Sequence, residues 1–425
     1  MNIRFYNARI LSMKDGYDVI NGELTVRDGI ISYVGTGKAK EEEDYDRQID
    51  CHQNLLMPGF KNAHTHSGMS VLRSLADDLP LSDWLNTQIF PVEAKMTPDD
   101  IYTMTKLSVL EYLTSGITAC FDMYLTPESI ARSMDDCGFR CVQTGAINNF
   151  SQSVELLEKM YLEYNKPGSL QSYILGAHAE YTTSLELLKE ISGLVHKYRA
   201  PFFMHLGETK GEVEGCIQRY GKGPLKLADE IGLFDFGGGI YHGIYLDDED
   251  FSIMKKRGLY VVTNPASNIK LASGICPVDE YLKNDIPVAI GTDGPASNNC
   301  LDMFREMFLV AGLTKLRTMD ASAADANEIL KMATVNGALC MGLKDCDILD
   351  TGKKADIILL DLNAPNMQPV NNITKNIVYS GSKLNVKMTM VNGNILYENG
   401  EFYIDESPEQ IYEKVTSIKK RLLNG

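Results

Sequence analysis

The sequence predicts an α/β fold. A (β/α)8 TIM-like barrel would span residues 58–345, and a small β-sandwich domain would form from both chain ends, residues 1–57 and 346–425. Three observations carry this expectation. From about residue 58 to 345, short apolar runs alternate eight times with longer amphipathic stretches, the pattern of parallel strands joined by crossover helices. The two flanks read instead as short strands joined by tight turns. Five of the seven histidines fall at or just beyond predicted strand ends, the end that forms the active face of such a barrel.

The elements follow in chain order. Residues 3–8, 22–27 and 30–34 read as strands, with Asp28-Gly29 as a hairpin turn between the last two. The eight barrel strands should end near His64, Asp122, Gly145, His178, His205, His242, Asn264 and Asp293. Their cores are short and apolar, as in Ile174-Leu175-Gly176-Ala177, Pro201-Phe202-Phe203-Met204 and Pro287-Val288-Ala289-Ile290. Residues 99–114, 184–198 and 323–341 carry helical amphipathicity. Strands return at 355–361, 386–391 and 394–398, with Asn392-Gly393 as a second hairpin turn.

Composition bounds the function. With 425 residues, 44% hydrophobic and 23% charged, the chain can bury a large core without disulfides or a structural metal. Its 41 Lys and Arg against 57 Asp and Glu give a net charge of −16, which repels phosphate polymers. A nucleic-acid polymer is therefore not an expected partner, whereas a single neutral nucleoside in a pocket is compatible. No apolar run reaches the roughly 18 residues of a membrane span. The N-terminus lacks the basic-then-apolar layout of a signal peptide. Nine scattered cysteines read as reduced thiols of a cytoplasmic enzyme acting on a small molecule. Nothing here sets the oligomeric state, and a homo-oligomer is compatible.

The chemistry concentrates in the strand-end residues. In Asn62-Ala63-His64-Thr65-His66, positions i and i+2 of an extended chain share a face, so two imidazoles can meet one cation. Two satisfied core histidines are the alternative. His205 ends another strand, and Glu208 lies three residues on, where the chain must turn over the barrel mouth. A carboxylate beside a metal suits that place; a solvated loop acid is the alternative. Asp293, at the end of Val288-Ala289-Ile290-Gly291-Thr292, is either a turn former or a carboxylate facing the histidines. Three His and one Asp can leave room for a water if the metal expands its coordination. No lysine ends the fourth strand to bridge a second ion, so one divalent metal is expected. His242 in Tyr241-His242-Gly243 and His178 in Ala177-His178-Ala179 are further candidates, with structural strand-end histidines as the bland reading. Trp84, the only tryptophan, precedes Glu93 by nine residues, and a core Trp with a surface Glu is the alternative there. His52 and His196 have no motif around them and read as structural or exposed.

These motifs occur in one order: Pro58-Gly59-Phe60 leading to His64-Thr65-His66, then His205-Leu206-Gly207-Glu208-Thr209, Tyr241-His242-Gly243, Asn264-Pro265-Ala266-Ser267-Asn268 and Gly291-Thr292-Asp293-Gly294. Together they resemble the amidohydrolase superfamily, and within it the methylthioadenosine/S-adenosylhomocysteine deaminase branch, over nearly the whole chain. The resemblance implies that His64, His66, His205 and Asp293 hold zinc, with iron(II) or manganese(II) as alternatives. It implies that Glu208 shuttles a proton, that His242 orients or polarises the attacked centre, and that Asp293 can accept a proton from the water. Trp84, Glu93 and His178 would contact substrate, Glu93 through ribose hydroxyls. The implied reaction is deamination of an adenine nucleoside such as 5′-methylthioadenosine. Hydrolysis of guanine, a pterin or a triazine is the alternative within the superfamily. A non-catalytic scaffold is the alternative outside it, and that reading predicts damaged ligands, whereas all are present. Three departures stand out. Ala177 and Glu180 flank His178 where the family has prolines, and Thr263 stands where many members have a histidine. No arginine follows the third strand in Gln143-Thr144-Gly145-Ala146-Ile147-Asn148-Asn149, which weakens S-adenosylhomocysteine as substrate.

Overall fold

The computed structural model describes residues 1–14, 16–39, 44–75 and 77–424. Eight parallel strands form the central sheet: β1 Phe60–Thr65, β2 Ile117–Asp122, β3 Arg140–Thr144, β4 Gln171–Ala179, β5 Phe202–Leu206, β6 Gly238–His242, β7 Tyr260–Thr263 and β8 Val288–Ile290. Each is hydrogen-bonded to the next in sequence order. The alternation of strand residues explains the interior. Ala63, Ala119, Phe121, Val142, Phe203, Tyr241, Val262 and Ala289 pack together inside the barrel, while the opposite faces meet the helices.

The last strand returns to the first through a short seam. Asp293 N–H donates to His64 O at 2.9 Å. The Asn62 side chain bridges the same gap, accepting from Thr292 N–H at 2.9 Å and donating to Thr292 Oγ1 at 2.7 Å. Gly291 lies so close that a Cβ there would sit 2.7 Å from His64 Cβ and 2.8 Å from His64 N. Only glycine fits that approach.

The surrounding helices form where the patterns place them. Leu185–Tyr198 begins at Ser184, whose hydroxyl accepts from Leu187 N–H, and buries Leu188, Ile191 and Val195 at helical spacing. The segment expected at 323–341 starts later, with helix Ala326–Lys331. Asp325 caps Asn327 N–H and Asp320 Oδ1 takes Ser322 N–H, so both aspartates hold the preceding residues in turns. The helical path then continues through a wide turn, Met332–Asn336, to Gly337–Cys340.

The chain ends build one nine-stranded sheet. Leu55–Pro58 and Ile357–Leu360 pair antiparallel and join the N-terminal strands to the C-terminal ones. The two halves fold over a shared core of Ile3, Phe5, Ile10, Leu24, Val26, Leu56, Ile357, Met388 and Met390, the β-sandwich expected. Asp28-Gly29 and Asn392-Gly393 both adopt the left-handed pairs that two-residue hairpins require. The turns also touch, since a Cβ on Gly393 would lie 2.4 Å from Gly29 Cα. The strand-rich reading of 346–425 missed Pro408–Asn424, a helix packed against Pro98–Thr114. Lys106 binds Asp405 and Glu406, the latter at 2.7 Å, and Arg421 pairs with Asp100.

Barrel and sheet meet at a buried charge cluster at the strand starts. Arg140 grips Asp356 with Nε at 2.8 Å and NH2 at 2.9 Å. Asn392 N–H donates to Asp356 Oδ1 at 2.8 Å, and Lys61 Nζ stands 3.8 Å from Oδ2. Burial alone would push the Asp356 carboxyl up, but Arg140 and Lys61 hold it down at about 2. Because the folded value lies below that of the unfolded chain, the stabilisation is complete above the ordinary carboxylate range. It is lost as pH falls toward about 2. Removing one partner of such a buried pair typically costs about 3–5 kcal/mol. Asp356→Asn should therefore lower the urea midpoint strongly at pH 7, and the gap to the parent protein should shrink as pH falls through 4. Equal midpoints at pH 7 would remove the cluster from the stability account.

Candidate active site

Every residue singled out at a strand end lies on one face of the barrel, at the C-terminal ends of the strands. His64 ends β1 facing inward, and His66 follows it on the same side, with ring centroids 4.7 Å apart. His205 comes from β5, 4.8 Å from His64 between ring centroids. His242 ends β6 with φ of 73°, and Asp293 follows β8 with φ of 59°. Left-handed backbone at a non-glycine residue is strained by about 1–3 kcal/mol and persists where surrounding structure imposes it. Here it turns both side chains into the mouth.

Four donor atoms converge. His66 Nε2 lies 3.0 Å from Asp293 Oδ1, His64 Nε2 lies 3.6 Å from the same oxygen, and His205 Nε2 lies 3.1 Å from His64 Nε2. The outer nitrogens fix the tautomers. Nδ1 of His66 bonds the Met123 carbonyl, and Nδ1 of His205 bonds the His178 carbonyl at 2.7 Å. A carbonyl only accepts, so each Nδ1 carries a proton and each Nε2 is the atom turned inward. His64 stacks on Tyr241 at 3.8 Å and 20°. Burial and neighbouring imidazoles hold His64 and His205 neutral, well below the usual histidine range. Asp293 is fixed as an anion: burial opposes its charge, but His66 and the other imidazoles hold it well below the usual carboxylate range. One oxygen, Oδ2, is filled by the hydroxyls of Ser267 at 2.6 Å and Ser297 at 2.9 Å. Oδ1 faces the histidines.

This donor set fits a divalent metal. His205 Nε2 stands 3.1 Å from His64 Nε2, and His64 Nδ1 is buried without a hydrogen-bond partner among the described residues, which leaves that ring free to carry its proton on Nδ1 and offer Nε2 to a cation. Two ligands at about 2.0–2.1 Å on a tetrahedral ion stand about 3.3–3.4 Å apart, close to what is found. Three neutral imidazoles and one carboxylate suit zinc, and carbonyls behind two of the imidazoles supply the outer support such sites use. His242 also lies within reach of His64 and His205. A third group, Cys120, Asp122 and Cys141, sits between barrel and helices, where burial keeps both thiols protonated.

Above the cluster opens a pocket with a cavity volume of about 100 Å³. Trp84, Glu93 and His178 all line it, as do Glu208 and His242. Glu208 is buried, which raises its carboxyl against the pull of His242 and His66, and its Oε2 lies 3.9 Å from His242 Nε2. His242 Nδ1 faces the Asn268 amide oxygen at 2.8 Å. Glu93 accepts from Tyr124 OH at 2.6 Å, and burial raises its carboxyl too. His178 Nδ1 meets Thr182 Oγ1 at 2.8 Å, and that hydroxyl donates onward to the Ala179 carbonyl. His178 thus donates from Nδ1 and keeps Nε2 as an acceptor, and burial brings it down to about 4. The side chains of His52 and His196 are 76% and 47% exposed, away from the site as expected. Tyr124, Ser267, Asn268 and Ser297 were not foreseen. Ser267 and Asn268 stand inside a quoted motif, whereas Tyr124 and Ser297 carry no sequence signal.

Comparisons with known proteins identify the family. Residues 55–396 match the model of the amidohydrolase family. The chain is 38% identical to a 5-methylthioadenosine/S-adenosylhomocysteine deaminase of Thermoanaerobacter pseudethanolicus, covering 100% of this chain and 99% of that protein. It is 39% identical to one of Acetivibrio thermocellus, covering 100% of both. An adenosine deaminase of Xanthomonas campestris with bound zinc superposes with a TM-score of 0.93 at 30% identity, over 100% of this chain and 98% of that one. A match over most of the length, on a barrel whose mouth gathers three imidazoles and a carboxylate, makes this chain a member of the amidohydrolase family, a hydrolase of carbon–nitrogen bonds.

Proposed function

We propose that this enzyme deaminates an adenine nucleoside, 5′-methylthioadenosine foremost, to the inosine analogue and ammonia, using one zinc ion, in the cytoplasm. The observation that carries this reading is one pocket lined at once by His66, His205 and Asp293 of the metal-binding cluster, by Glu208 and His242, and by Glu93. The names of the relatives and the zinc of the Xanthomonas enzyme support it.

His64, His66, His205 and Asp293 would hold the ion. Bound there, it would supply a water whose pKa falls towards about 7, a nucleophile at neutral pH. The chain's own groups do the rest. Glu208 takes a proton from the attacking water and delivers it to the ring nitrogen beside the attacked carbon. Its burial raises its proton affinity, which suits a group that must both accept and donate. His242, tethered through Nδ1 to Asn268, presents Nε2 to the oxygen of the attacked centre. Asp293, with Oδ2 filled by two serines, turns Oδ1 toward the same oxygen and can take its remaining proton and pass it to the amino group, which leaves as ammonia as the C–N bond breaks. Glu93 receives ribose hydroxyls on the oxygen that Tyr124 leaves open, and the acceptor of His178 takes a further donor from substrate. Trp84 offers an apolar wall. No Lys or Arg lines the pocket among the described residues, so the homocysteine carboxylate of S-adenosylhomocysteine finds no guanidinium there.

Zinc-loaded protein incubated with 5′-methylthioadenosine should release ammonia, adenosine should follow, and S-adenosylhomocysteine should be the poorest of the three. No ammonia from any of them at full zinc occupancy would reject the nucleoside reading. Chelation should abolish turnover, and zinc should restore it. Asp293→Asn should abolish turnover and weaken zinc binding by at least about 100-fold, the upper range for changes behind a ligand. Normal turnover in that variant would take Asp293 out of the site. Glu93→Ala should lower kcat/KM for nucleosides about 10- to 100-fold, the worth of one or two charged hydrogen bonds, and affect free adenine little. Equal losses on both substrates would exclude the ribose role.

A further inference from the structure

One buried carboxylate near the site faces neither the pocket nor the metal-binding cluster. Glu212 lies in the first turn of helix Lys210–Tyr220 and is 6% exposed. Part of its role is local. Thr209 caps the helix by accepting from Glu212 N–H at 3.1 Å, and Glu212 reaches back to Thr209 N–H at 3.4 Å. A capping box ends with that reciprocal pair. Here two shorter bonds run further upstream: Gly207 N–H donates to Oε1 at 2.9 Å and Glu208 N–H donates to Oε2 at 2.8 Å. Burial pushes the Glu212 carboxyl up to about 7 against the pull of the three backbone donors.

Those two N–H groups belong to the turn that lifts Glu208 off the end of β5. The same turn is held from the other side. Gly207 O accepts from Ile244 N–H at 2.8 Å and Tyr245 N–H at 2.9 Å, both beyond β6. Gly207 has φ of 67°, and a Cβ there would come 3.2 Å from Tyr245 O. The segment is thus gripped at its carbonyl by the neighbouring strand's loop and at its N–H groups by Glu212.

We propose that Glu212 is a positioning residue for Glu208, whose carboxylate fixes the Gly207–Glu208 turn and thereby holds the Glu208 side chain between His242 and the pocket. This rests on the reading of Glu208 as the proton carrier. A helix cap accounts for the bond to Thr209 but not for the two shorter ones. A displacement of a reacting group by about 1 Å can cost about 100-fold in rate, which sets the scale of the effect.

The test combines a kinetic cycle with amide exchange on the zinc-loaded enzyme, with 5′-methylthioadenosine as substrate. Glu212→Gln should lower kcat about 10- to 100-fold, leaving KM within about twofold and zinc content unchanged. Glu208→Gln should be slower still, and the double variant no slower than Glu208→Gln alone, because residues acting as one unit are not additive. Thr209→Ala, which removes only the cap, should lower the melting temperature and leave kcat within about twofold. Hydrogen exchange at Gly207 and Glu208 should be at least about tenfold faster in Glu212→Gln and unchanged in Thr209→Ala. Glu212→Asp, which keeps the charge but loses one methylene of reach, serves if the amide variant folds poorly and should show the same exchange. Multiplying losses in the double variant, or unchanged exchange at both amides, would overturn the proposal. Parent-like kcat in Glu208→Gln would instead reject the proton-carrier reading, and the exchange data would still judge the clamp.

Discussion

The site depends on how the barrel closes. β8 has only three residues, and the hydrogen bonds that bring it to β1 are few: Asp293 N–H to His64 O, Thr65 Oγ1 to Asp293 O, and the Asn62 amide to Thr292. The two residues joined by the first of these bonds are themselves two of the four metal-binding candidates. Closing the sheet and assembling the donor set are therefore one structural event. Gly291 makes it sterically feasible, because any side chain there would drive β8 away from His64. A slip of one residue along this seam would turn the wrong face inward and disperse the cluster.

The electrostatics of the mouth follow from that convergence. Asp293, Glu208 and Glu93 surround a cavity whose only nitrogen-bearing titratable groups are imidazoles, among the described residues. The His66 case shows how strongly the cluster favours a cation. Burial disfavours its charged form, yet the Asp293 carboxylate lifts it to about 9. A divalent ion at the same point would meet that demand and leave every imidazole neutral, as ligation requires. With the ion's charge matched at the floor, the remaining pocket offers acceptors and apolar surface. It is suited to an uncharged ligand carrying hydroxyl and amine donors.

Much of this was legible in the sequence, for identifiable reasons. Barrel strands are buried on both faces and read as apolar runs, and the residues that follow them stand at the mouth by construction, so His64, His205, His242 and Asp293 declared themselves by position. Their supports did not. Ser267 and Ser297 come from different loops and meet only at Asp293 Oδ2, and Tyr124 reaches Glu93 across 31 residues. No local period marks such neutral donors, because tertiary packing alone brings them together. The C-terminal helix Pro408–Asn424 escaped for another reason. Ile411, Val415, Ile418 and Leu422 do recur at helical spacing, and Val415, Ile418 and Leu422 pack on the core, but the strands that precede them set the reading of this end; Arg421 adds an ion pair with Asp100 of Pro98–Thr114.

The small sheet acts on the chemistry from the opposite end of the barrel. The chain enters β1 directly from Leu55–Pro58, which is locked antiparallel to Ile357–Leu360 just two residues before Phe60. Asp356, at the edge of that pairing, ties Arg140 at the start of β3 and attracts Lys61 near the start of β1. Lys61 and His64 sit on one six-residue strand, so a shift at its base is transmitted to its tip with little slack. Protein interiors at native packing density transmit such strain rather than absorb it. The buried charges need not add net stability, since an apolar replacement of the whole cluster can equal them. What they supply is a register: they leave β1 one seating against the flanking sheet, and with it one height for His64 and His66 at the mouth. A domain assembled from both chain ends is thus the base on which the first two metal-binding candidates are levelled.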